Sequence, residues 1–357
     1  MSRPRLRDLG RTIGVIPTGP RNTISDVAGV SVGHATVWAD EPRTVRTGVT
    51  IVETRPDGEH EQLCYGGYHS FNGNGELTGA HWLRESGLLL GPLAITNTHQ
   101  VGLVRDVLVA VQVERIPDAA WCLPVVGETY DGFLSDINAF ALTADHVRAA
   151  LADAAANAAS GTVAEGCVGG GTGMMCHRFK GGIGTSSRVV DSAGGTYTVG
   201  ALVQANYGKR HLLRLEGDPI GQRIDASVVP EPHEAPTDDT GSIIVILATD
   251  APLLADQCTR LAQRATVGMA RVGGVGSNTS GDLFLAFATG NRIPLDATEA
   301  FAVRTLPADA MTPLFEAAAE AVEEAIWNAL VTAETTVGFR GRTAHAIPHE
   351  LLRVPTR

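Results

Sequence analysis

The most specific chemistry in the sequence lies where an acidic segment meets an apolar one. Residues 231–241 (EPHEAPTDDTG) contain prolines and carboxylates, which predicts an exposed loop, and Ser242 then begins the apolar run SIIVILA. Because Gly241 has no side chain, its carbonyl is open to attack by the Ser242 hydroxyl, as in an N-to-O acyl shift. Cleavage there would give Ser242 a free α-amine, whose pKa of about 7.7–8 suits a general base. The same pattern also fits a loop that ends in a strand, and spacing alone does not decide between the two.

Other segments lack the spacings of common sites. Residues 166–184 are glycine-rich but contain neither GxxxxGK[ST] nor a GxGxxG that opens a helix, which favours a tight backbone crossing over a phosphate site. His69, His81 and His99 lack metal-ligand spacing, and neither HExxH nor GxSxG is present, which disfavours a zinc site and an α/β-hydrolase. Residues 72–76 (NGNGE) are predicted to form turns. We expect no metal and no organic cofactor.

The elements that would position these residues are short apolar strands and longer helices. Strands are predicted for residues 27–37, 45–52, 197–205, 242–248 and 283–288. Helices are predicted for residues 98–113, 143–159 and 312–335, and for a segment that starts with Asp250 as N-cap and extends to Met269. Strands and helices are interleaved without strict alternation, which indicates an α/β or α+β class.

Composition indicates a compact protein with a sizeable core. The chain has 357 residues, of which 44% are hydrophobic, 19% are charged and 41 are glycines. These values exclude disorder as the main state and indicate many turns. The net charge of −11 disfavours nucleic acid and membrane surfaces as partners. The five cysteines include no CxxC and are expected to be reduced and structural, and the N-terminal segment lacks the apolar stretch of a secretory signal, so we expect a cytoplasmic protein.

Seven blocks along nearly the whole chain carry a family resemblance. They are NTISDVAGVSVGH (22–34), FNGNGELTGAHWL (71–83), LPVVGETYDGFLSDIN (123–138), EGCVGGGTGM with FKGGIGTSSR (165–188), VGALVQANYG (199–208), GSIIVILATDAPLL (241–254) and NTSGDLFLAF (278–287). In this order they resemble the DmpA-like L-aminopeptidase/D-esterase family. Its members are self-processing N-terminal-nucleophile hydrolases and include the β-peptidyl aminopeptidases.

The resemblance implies one catalytic domain, residues 1–357, that cuts itself. Ser242 matches the nucleophile that is exposed by cleavage after Gly241, which would give chains of residues 1–241 and 242–357. The implied fold is a four-layer αββα sandwich of the type shared with ornithine acetyltransferases. The implied assembly is a homo-oligomer, a tetramer of processed units.

The resemblance also implies roles for five further side chains. Asn206 matches a residue of the oxyanion hole, and Tyr130 matches a tyrosine whose hydroxyl lies at the same site. Glu128 matches the carboxylate that receives the ammonium group of the substrate. Ser280 and Asp282 match a pair beside the nucleophile, in which some members have glutamate at the second position. Taken alone, Glu128 also fits an ordinary surface carboxylate, and Asn206, Ser280 and Asp282 also fit turn residues.

The implied function is that of a serine aminopeptidase that removes N-terminal residues from short peptides, amides or esters. Two alternatives stay open. One is acyl transfer as in the ornithine acetyltransferases, whose nucleophile is threonine, and the other is a binding scaffold that never processes. The sequence does not choose among L-, D- and β-amino acid substrates.

Overall fold

Fourteen strands and seven α-helices make up the part of the chain that the structure describes. The computed structural model describes residues 3–56, 58–118, 121–232 and 241–353. The strands are β1 Ser31–Ala39, β2 Val45–Glu53, β3 Gln62–Gly73, β4 Leu88–Leu89, β5 Leu93–Asn97, β6 Val126–Thr129, β7 Met175–Cys176, β8 Phe179–Lys180, β9 Gly182–Ser192, β10 Gly195–Asn206, β11 Gly241–Thr249, β12 Ser280–Pro294, β13 Thr336–Val337 and β14 Thr343–Ala344. The helices are α1 Ala80–Ser86, α2 Val101–Arg115, α3 Ala144–Asn157, α4 Ile220–Arg223, α5 Ala255–Ala262, α6 Ala265–Val272 and α7 Thr312–Val331.

Two sheets are stacked face to face. The first has the strand order β1-β2-β5-β6, and the second has the order β4-β3-β12-β11-β10-β9. Apolar side chains from both sheets fill the space between them, among them Val52 and Ile95 from the first sheet and Leu202, Ile244 and Leu285 from the second. This sandwich is the usual way in which two sheets bury their apolar faces.

Helices cover the outer face of each sheet. On the first sheet, α2 and α3 pack Val104 and Val147 against Val49. On the second sheet, α5, α6 and α7 bury a larger cluster that includes Trp327 and Phe284. The order of layers is therefore helix, sheet, sheet, helix, and the expected four-layer αββα sandwich is confirmed. Within the described ranges, no helix has both the length and the apolar character to span a membrane.

The predicted helix after Asp250 differs from the structure in its start and its continuity. The Asp250 side chain is not an N-cap, because its Oδ1 accepts a hydrogen bond from the backbone N–H of Thr198 at 2.8 Å. The helix starts instead at Ala255 and is interrupted between α5 and α6, where Arg264 N–H bonds to the Leu261 carbonyl in a turn. The apolar residues of both helices still share one core, so their periodicity predicted the buried face but not the break.

The other boundaries shift by a few residues. The first strand begins at Ser31 rather than at residue 27, because Val30 N–H bonds to the Val27 carbonyl in a turn where Gly29 has a φ of +86°. The last helix ends at Val331, four residues before the predicted end at residue 335. Most of the predicted loop, residues 233–240, lies outside the described residues.

Candidate active site

Ser242 lies at the start of a strand in the interior of the larger sheet. In register it is paired with Asn206 of the antiparallel strand β10 and with Gly281 of the parallel strand β12. Its Oγ donates to the Gly241 carbonyl oxygen at 2.7 Å and accepts from the Gly281 N–H at 3.2 Å. The residue is only 6% exposed. The hydroxyl is therefore held directly beside the peptide bond that precedes it.

Two glycines make this close packing possible. A Cβ on Gly241 would come within 2.8 Å of the Asn206 carbonyl oxygen. A Cβ on Gly281 would lie 2.8 Å from the Asn74 carbonyl oxygen and 3.0 Å from Ser242 Oγ. Side chains at either position would push the neighbouring strands apart, and the hydroxyl would lose its fixed place.

Asn206 ends its strand with its amide directed into the site. Its Nδ2 donates to the Tyr130 carbonyl oxygen at 3.0 Å, and its Oδ1 accepts from the Met175 N–H at 2.8 Å. A primary amide has two N–H donors, so one remains for a ligand oxygen. Because Asn206 and Ser242 face each other in register, that donor lies next to the hydroxyl.

Glu128 is a buried carboxylate on β6, in the facing sheet. Its Oε1 accepts from the Glu76 N–H at 3.0 Å and its Oε2 accepts from the Thr98 hydroxyl at 2.5 Å. Burial raises the pKa of this carboxyl above its ordinary value, although the two hydrogen bonds oppose the shift. A ligand ammonium beside it would favour the ionised form. Thr98, which fixes the orientation of the carboxylate, was not singled out from the sequence.

Tyr130 follows β6 and is 49% exposed. Its ring lies over Gly132, where a Cβ would meet the phenol oxygen at 2.3 Å. The hydroxyl is therefore positioned by a glycine two residues further along the chain. Both Tyr130 and Glu128 line the same cavity.

Ser280 and Asp282 lie beside Ser242 but on the other face of the sheet. Ser280 is paired with Gly241, and its Oγ donates to Asp282 Oδ1 at 2.6 Å. Side chains alternate along a strand. A Cβ on the intervening Gly281 would point at Ser242 Oγ. The pair is thus adjacent to the Gly241–Ser242 peptide rather than to the serine hydroxyl. Asp282 Oδ2 has no hydrogen-bond partner among the described residues.

The Asp282 carboxyl gives a testable pH dependence. Burial raises its pKa from 3.8 to about 6, so the folded state binds this proton more tightly than the unfolded chain. Its contribution to the free energy of unfolding is therefore full at low pH and is lost as the pH rises from about 4 through 6. In a chain that also carries Ser242→Ala, Asp282→Asn is expected to raise the free energy of unfolding by about 2–3 kcal/mol more at pH 7.5 than at pH 4.

Urea unfolding of the two chains at both pH values measures this difference. The exposed Asp145 serves as control, since Asp145→Asn is expected to have the same small effect at both pH values. An equal effect of Asp282→Asn on the free energy of unfolding at pH 4 and pH 7.5 would contradict a raised pKa of the Asp282 carboxyl.

A cavity of about 640 Å³ opens in front of Ser242. The predicted site residues that line it are Ser242, Gly241, Asn206, Tyr130, Glu128 and Ser280, whereas Asp282 lies behind Ser280. Residues that the sequence analysis did not identify also line it, among them Asn74, Thr98, Met175, Arg178, Lys209 and Arg342. Asn74 belongs to the segment predicted as turns, and Met175 and Arg178 belong to the glycine-rich segment 166–184, which was interpreted as a tight backbone crossing. No local pattern marked Thr98, Lys209 or Arg342.

Comparison with known proteins identifies the family. The sequence profile of peptidase family S58 matches residues 22–344. The match covers most of the chain, and the chain therefore belongs to peptidase family S58. The beta-peptidyl aminopeptidase BapA of Sphingosinicella microcystinivorans is 46% identical to it over 366 residues, which cover 98% of this chain and 91% of that protein.

Two solved structures share the fold along almost their entire length. The Burkholderia sp. beta-aminopeptidase has a TM-score of 0.90 and 51% identity, and the match covers 98% of this chain and 97% of that one. The L-aminopeptidase D-Ala-esterase/amidase of Ochrobactrum anthropi, described as a variant of the N-terminal-nucleophile hydrolase fold, has a TM-score of 0.89 and 43% identity, with 98% and 97% covered. The expected family resemblance, fold and class of serine aminopeptidase are confirmed.

Proposed function

We propose that this chain is a self-processing aminopeptidase whose nucleophile, Ser242, becomes N-terminal when the Gly241–Ser242 bond is cut. The observation that carries the proposal is the Ser242 hydroxyl, held 2.7 Å from the Gly241 carbonyl oxygen at the start of a buried strand. The catalytic domain, residues 1–357, would then consist of an α chain of residues 1–241 and a β chain of residues 242–357.

The processing step requires only the chain itself and water. Ser242 Oγ attacks the Gly241 carbonyl carbon, the C–N bond breaks, and the hydroxyl proton ends on the nitrogen that becomes the α-amine. Water then hydrolyses the ester, which restores the Ser242 hydroxyl and leaves Gly241 as a carboxylate. The fixed contact between the hydroxyl and this peptide supports the first step, because pre-positioned reacting groups avoid most of the entropic cost.

The two chains are expected to stay together after cleavage. Strands β11 and β12 of the β chain are inserted between β3 and β10 of the α chain. In addition, Arg188 on β9 is fully buried and forms ion pairs with Glu324 at 2.7 Å and Glu320 at 3.0 Å on α7. Separation would expose a central sheet edge and leave these charges without partners, which is strongly unfavourable.

In the processed enzyme, the α-amine of Ser242 would act as general base for its own hydroxyl. Ser280 is next to this position, and its hydrogen bond to Asp282 would orient it toward the amine. The acyl-enzyme forms as the substrate C–N or C–O bond breaks and the proton moves to the leaving group, and water then releases the acid. Asn206 Nδ2 and the Tyr130 hydroxyl would stabilise the oxyanion.

The substrate class we propose is short peptides, amides and esters with a free N-terminal amine, including β-amino acid residues. The beta-peptidyl aminopeptidase and the beta-aminopeptidase named above, which are 46% and 51% identical to this chain, support substrates that begin with a β-amino acid residue. The L-aminopeptidase D-Ala-esterase/amidase at 43% supports amides and esters of α-amino acids. Glu128 would hold the ammonium group by a charge-assisted hydrogen bond.

The intact mass of the purified protein under denaturing conditions tests this proposal. Processing divides 37.4 kDa into species of about 25 and 12 kDa, in proportion to the residues on either side of the cut. The same sample is expected to hydrolyse β-alanine p-nitroanilide. A chain that stays whole and hydrolyses neither this compound nor alanine p-nitroanilide would overturn the proposal and favour the scaffold alternative.

Replacement of Glu128 tests the recognition of the amine. Glu128→Gln keeps the shape and removes the charge, so kcat/KM for β-alanine p-nitroanilide is expected to fall by about 10–100-fold. Processing should continue, since no ammonium group takes part in it. The exposed Glu85 on α1, which does not line the cavity, is the matched control, and Glu85→Gln should change kcat/KM less than twofold. An unchanged kcat/KM in Glu128→Gln would remove Glu128 from the substrate site.

Two further properties belong to the same proposal. The five cysteines are all free thiols, which suits a reducing compartment such as the cytoplasm. The processed units are proposed to form a homo-oligomer, a tetramer, and the exposed indole of Trp121 is part of an apolar surface that another copy could cover. Light scattering of the purified protein gives the number of units.

A further inference from the structure

One short segment connects the sheet that carries the nucleophile to the sheet that carries Glu128. β3 ends at Gly73 in the larger sheet, and Leu77 already forms a bridge with Gly127, the neighbour of Glu128 in the first sheet. Residues 72–76 (NGNGE) therefore cross from one sheet to the other. Building on the function proposed above, we propose that this segment is the spacer that selects between α- and β-amino acid substrates.

At its first end, the segment holds the loop that precedes β12. Asn72 Nδ2 donates to the carbonyl oxygens of Ser277 at 2.8 Å and Ser280 at 2.5 Å. Asn74 Nδ2 donates to the Thr279 carbonyl oxygen at 2.6 Å. Two side-chain amides thus bind three carbonyl groups of one loop, which gives this loop a fixed position relative to β3.

The same loop leads directly to a group that holds the nucleophile. Gly281 is the next residue after the loop and is paired with Gly73, and its N–H donates to Ser242 Oγ at 3.2 Å. Its backbone also packs against Asn74, which lines the cavity, because a Cβ on Gly281 would lie 2.8 Å from the Asn74 carbonyl oxygen. The position of the Ser242 hydroxyl therefore depends on the segment.

At its other end, the segment holds the carboxylate of Glu128. The Glu76 N–H donates to Glu128 Oε1 at 3.0 Å. Two residues later, the Thr78 hydroxyl accepts from the Val126 N–H at 2.9 Å, and the Thr78 N–H donates to the Val126 carbonyl oxygen at 3.0 Å. These bonds join the chain after the segment to β6, the strand that carries Glu128. The segment thus fixes both the carboxylate and its strand.

Gly75 lies where the two sides come closest. A Cβ on Gly75 would be 3.0 Å from Glu128 Oε1 and 3.3 Å from the Gly281 Cα. Its backbone is outside the left-handed region, so its conformation does not require glycine. Glycine is required here by space instead, because a methyl group would separate the carboxylate from the strand that holds the nucleophile.

A fixed spacing distinguishes substrates by the length of their first residue. One carbon separates the amine from the carbonyl carbon in an α-amino acid residue, and two carbons separate them in a β-amino acid residue. With the ammonium at Glu128 and the carbonyl at Ser242, one spacing fits only one of the two classes. A misplacement of the reacting atoms by about 1 Å costs about 10²-fold in rate.

The test measures the ratio of kcat/KM for β-alanine p-nitroanilide to kcat/KM for L-alanine p-nitroanilide, using processed enzyme. In the wild type this ratio is expected to differ from one by at least about tenfold. Gly75→Ala places a methyl group between Glu128 and Gly281, which lengthens the spacing. The ratio should therefore rise at least about fivefold, in favour of the longer β-amino acid. A ratio that stays constant or falls would overturn the inference.

Asn74→Ala tests the first end of the segment. Asn74 is exposed, so its replacement leaves the core intact, but the hydrogen bond to the Thr279 carbonyl is lost. The loop then gains freedom, the spacing is held less tightly, and the ratio should move toward one by at least about threefold. An unchanged ratio in this variant would exclude the segment as the spacer, also if Gly75→Ala yields no folded enzyme.

Gly102 on α2 provides a matched control for Gly75. It is exposed, and a Cβ added to it would meet nothing within 4 Å. Gly102→Ala is the same chemical change away from the site and should leave the ratio within twofold of the wild type. A change equal to that in Gly75→Ala would reduce the result to a general effect of replacing glycine, and the inference would be wrong.

The remaining outcomes separate this inference from the function on which it rests. Equal kcat/KM for the two p-nitroanilides in the wild type overturns the inference and leaves the aminopeptidase intact. Hydrolysis of neither compound overturns both. Equal losses of kcat/KM for both compounds in Gly75→Ala would make the segment a structural support without a role in selection, which also overturns the inference.

Discussion

Ser242→Ala is expected to stay at the full 37.4 kDa and to hydrolyse no substrate above background. The methyl group cannot attack the Gly241 carbonyl, so neither the ester nor the free α-amine can form. Since the same oxygen is the proposed nucleophile toward substrates, activity should fall by at least about 10⁴-fold, as for other nucleophile deletions. Intact mass and hydrolysis of β-alanine p-nitroanilide measure both effects on one sample.

The control for this variant lies on the same strand. Thr249 is buried at the other end of β11, and Thr249→Ala also removes a hydroxyl from this strand but should process and hydrolyse normally. Two species at the wild-type masses from Ser242→Ala would show that another group cuts the chain. Full-length Ser242→Ala with wild-type activity would separate processing from catalysis and remove Ser242 from the active site.

Asn206→Ala is expected to lower kcat by about 10²–10³-fold, the usual effect of removing one oxyanion donor. Since the proposed donor would act on charge that develops in the transition state, KM should change little. The proposed processing step would pass through a similar oxyanion and should slow as well. Steady-state kinetics and the time course of the two masses after expression measure these effects.

Asn206 also holds the Tyr130 and Met175 backbones, so the control must remove a comparable amide. Gln204 lies two residues earlier on the same face of β10, is fully buried, and donates to the Thr96 carbonyl at 3.0 Å. Gln204→Ala should therefore lower the melting temperature at least as much as Asn206→Ala while kcat stays within a few fold. A similar loss of kcat in both variants would make the effect of Asn206 structural.

The site residues on consecutive short segments could be predicted because their arrangement is local. Gly241 and Ser242 are neighbours, and the apolar run after them specifies a buried strand that places the hydroxyl at its start. The roles of Glu128, Tyr130 and Asn206 were expected from the family blocks in which these residues lie, without knowledge of the geometry. The strands β2, β10 and β11 could be predicted from their apolar runs for the same reason.

Features that depend on distant segments could not be predicted. Asp250 resembles an N-cap in sequence, but its carboxylate bonds to Thr198 on another strand, 52 positions away. The interruption between α5 and α6 has no marker such as proline or glycine at residues 263 and 264, and the apolar periodicity continues through it. In both cases a tertiary contact outweighs the local preference.

The sequence by itself determined the Gly241–Ser242 junction between a polar segment and an apolar strand, the other apolar strands and the family to which the chain belongs, because each depends on contiguous residues. The tertiary structure alone decided that Ser280 and Asp282 lie on the face opposite the Ser242 hydroxyl, and that Arg178, Lys209 and Arg342 line the same cavity as Glu128. Those cations come from segments up to 164 positions apart, and hydrogen bonds and packing between strands bring them together.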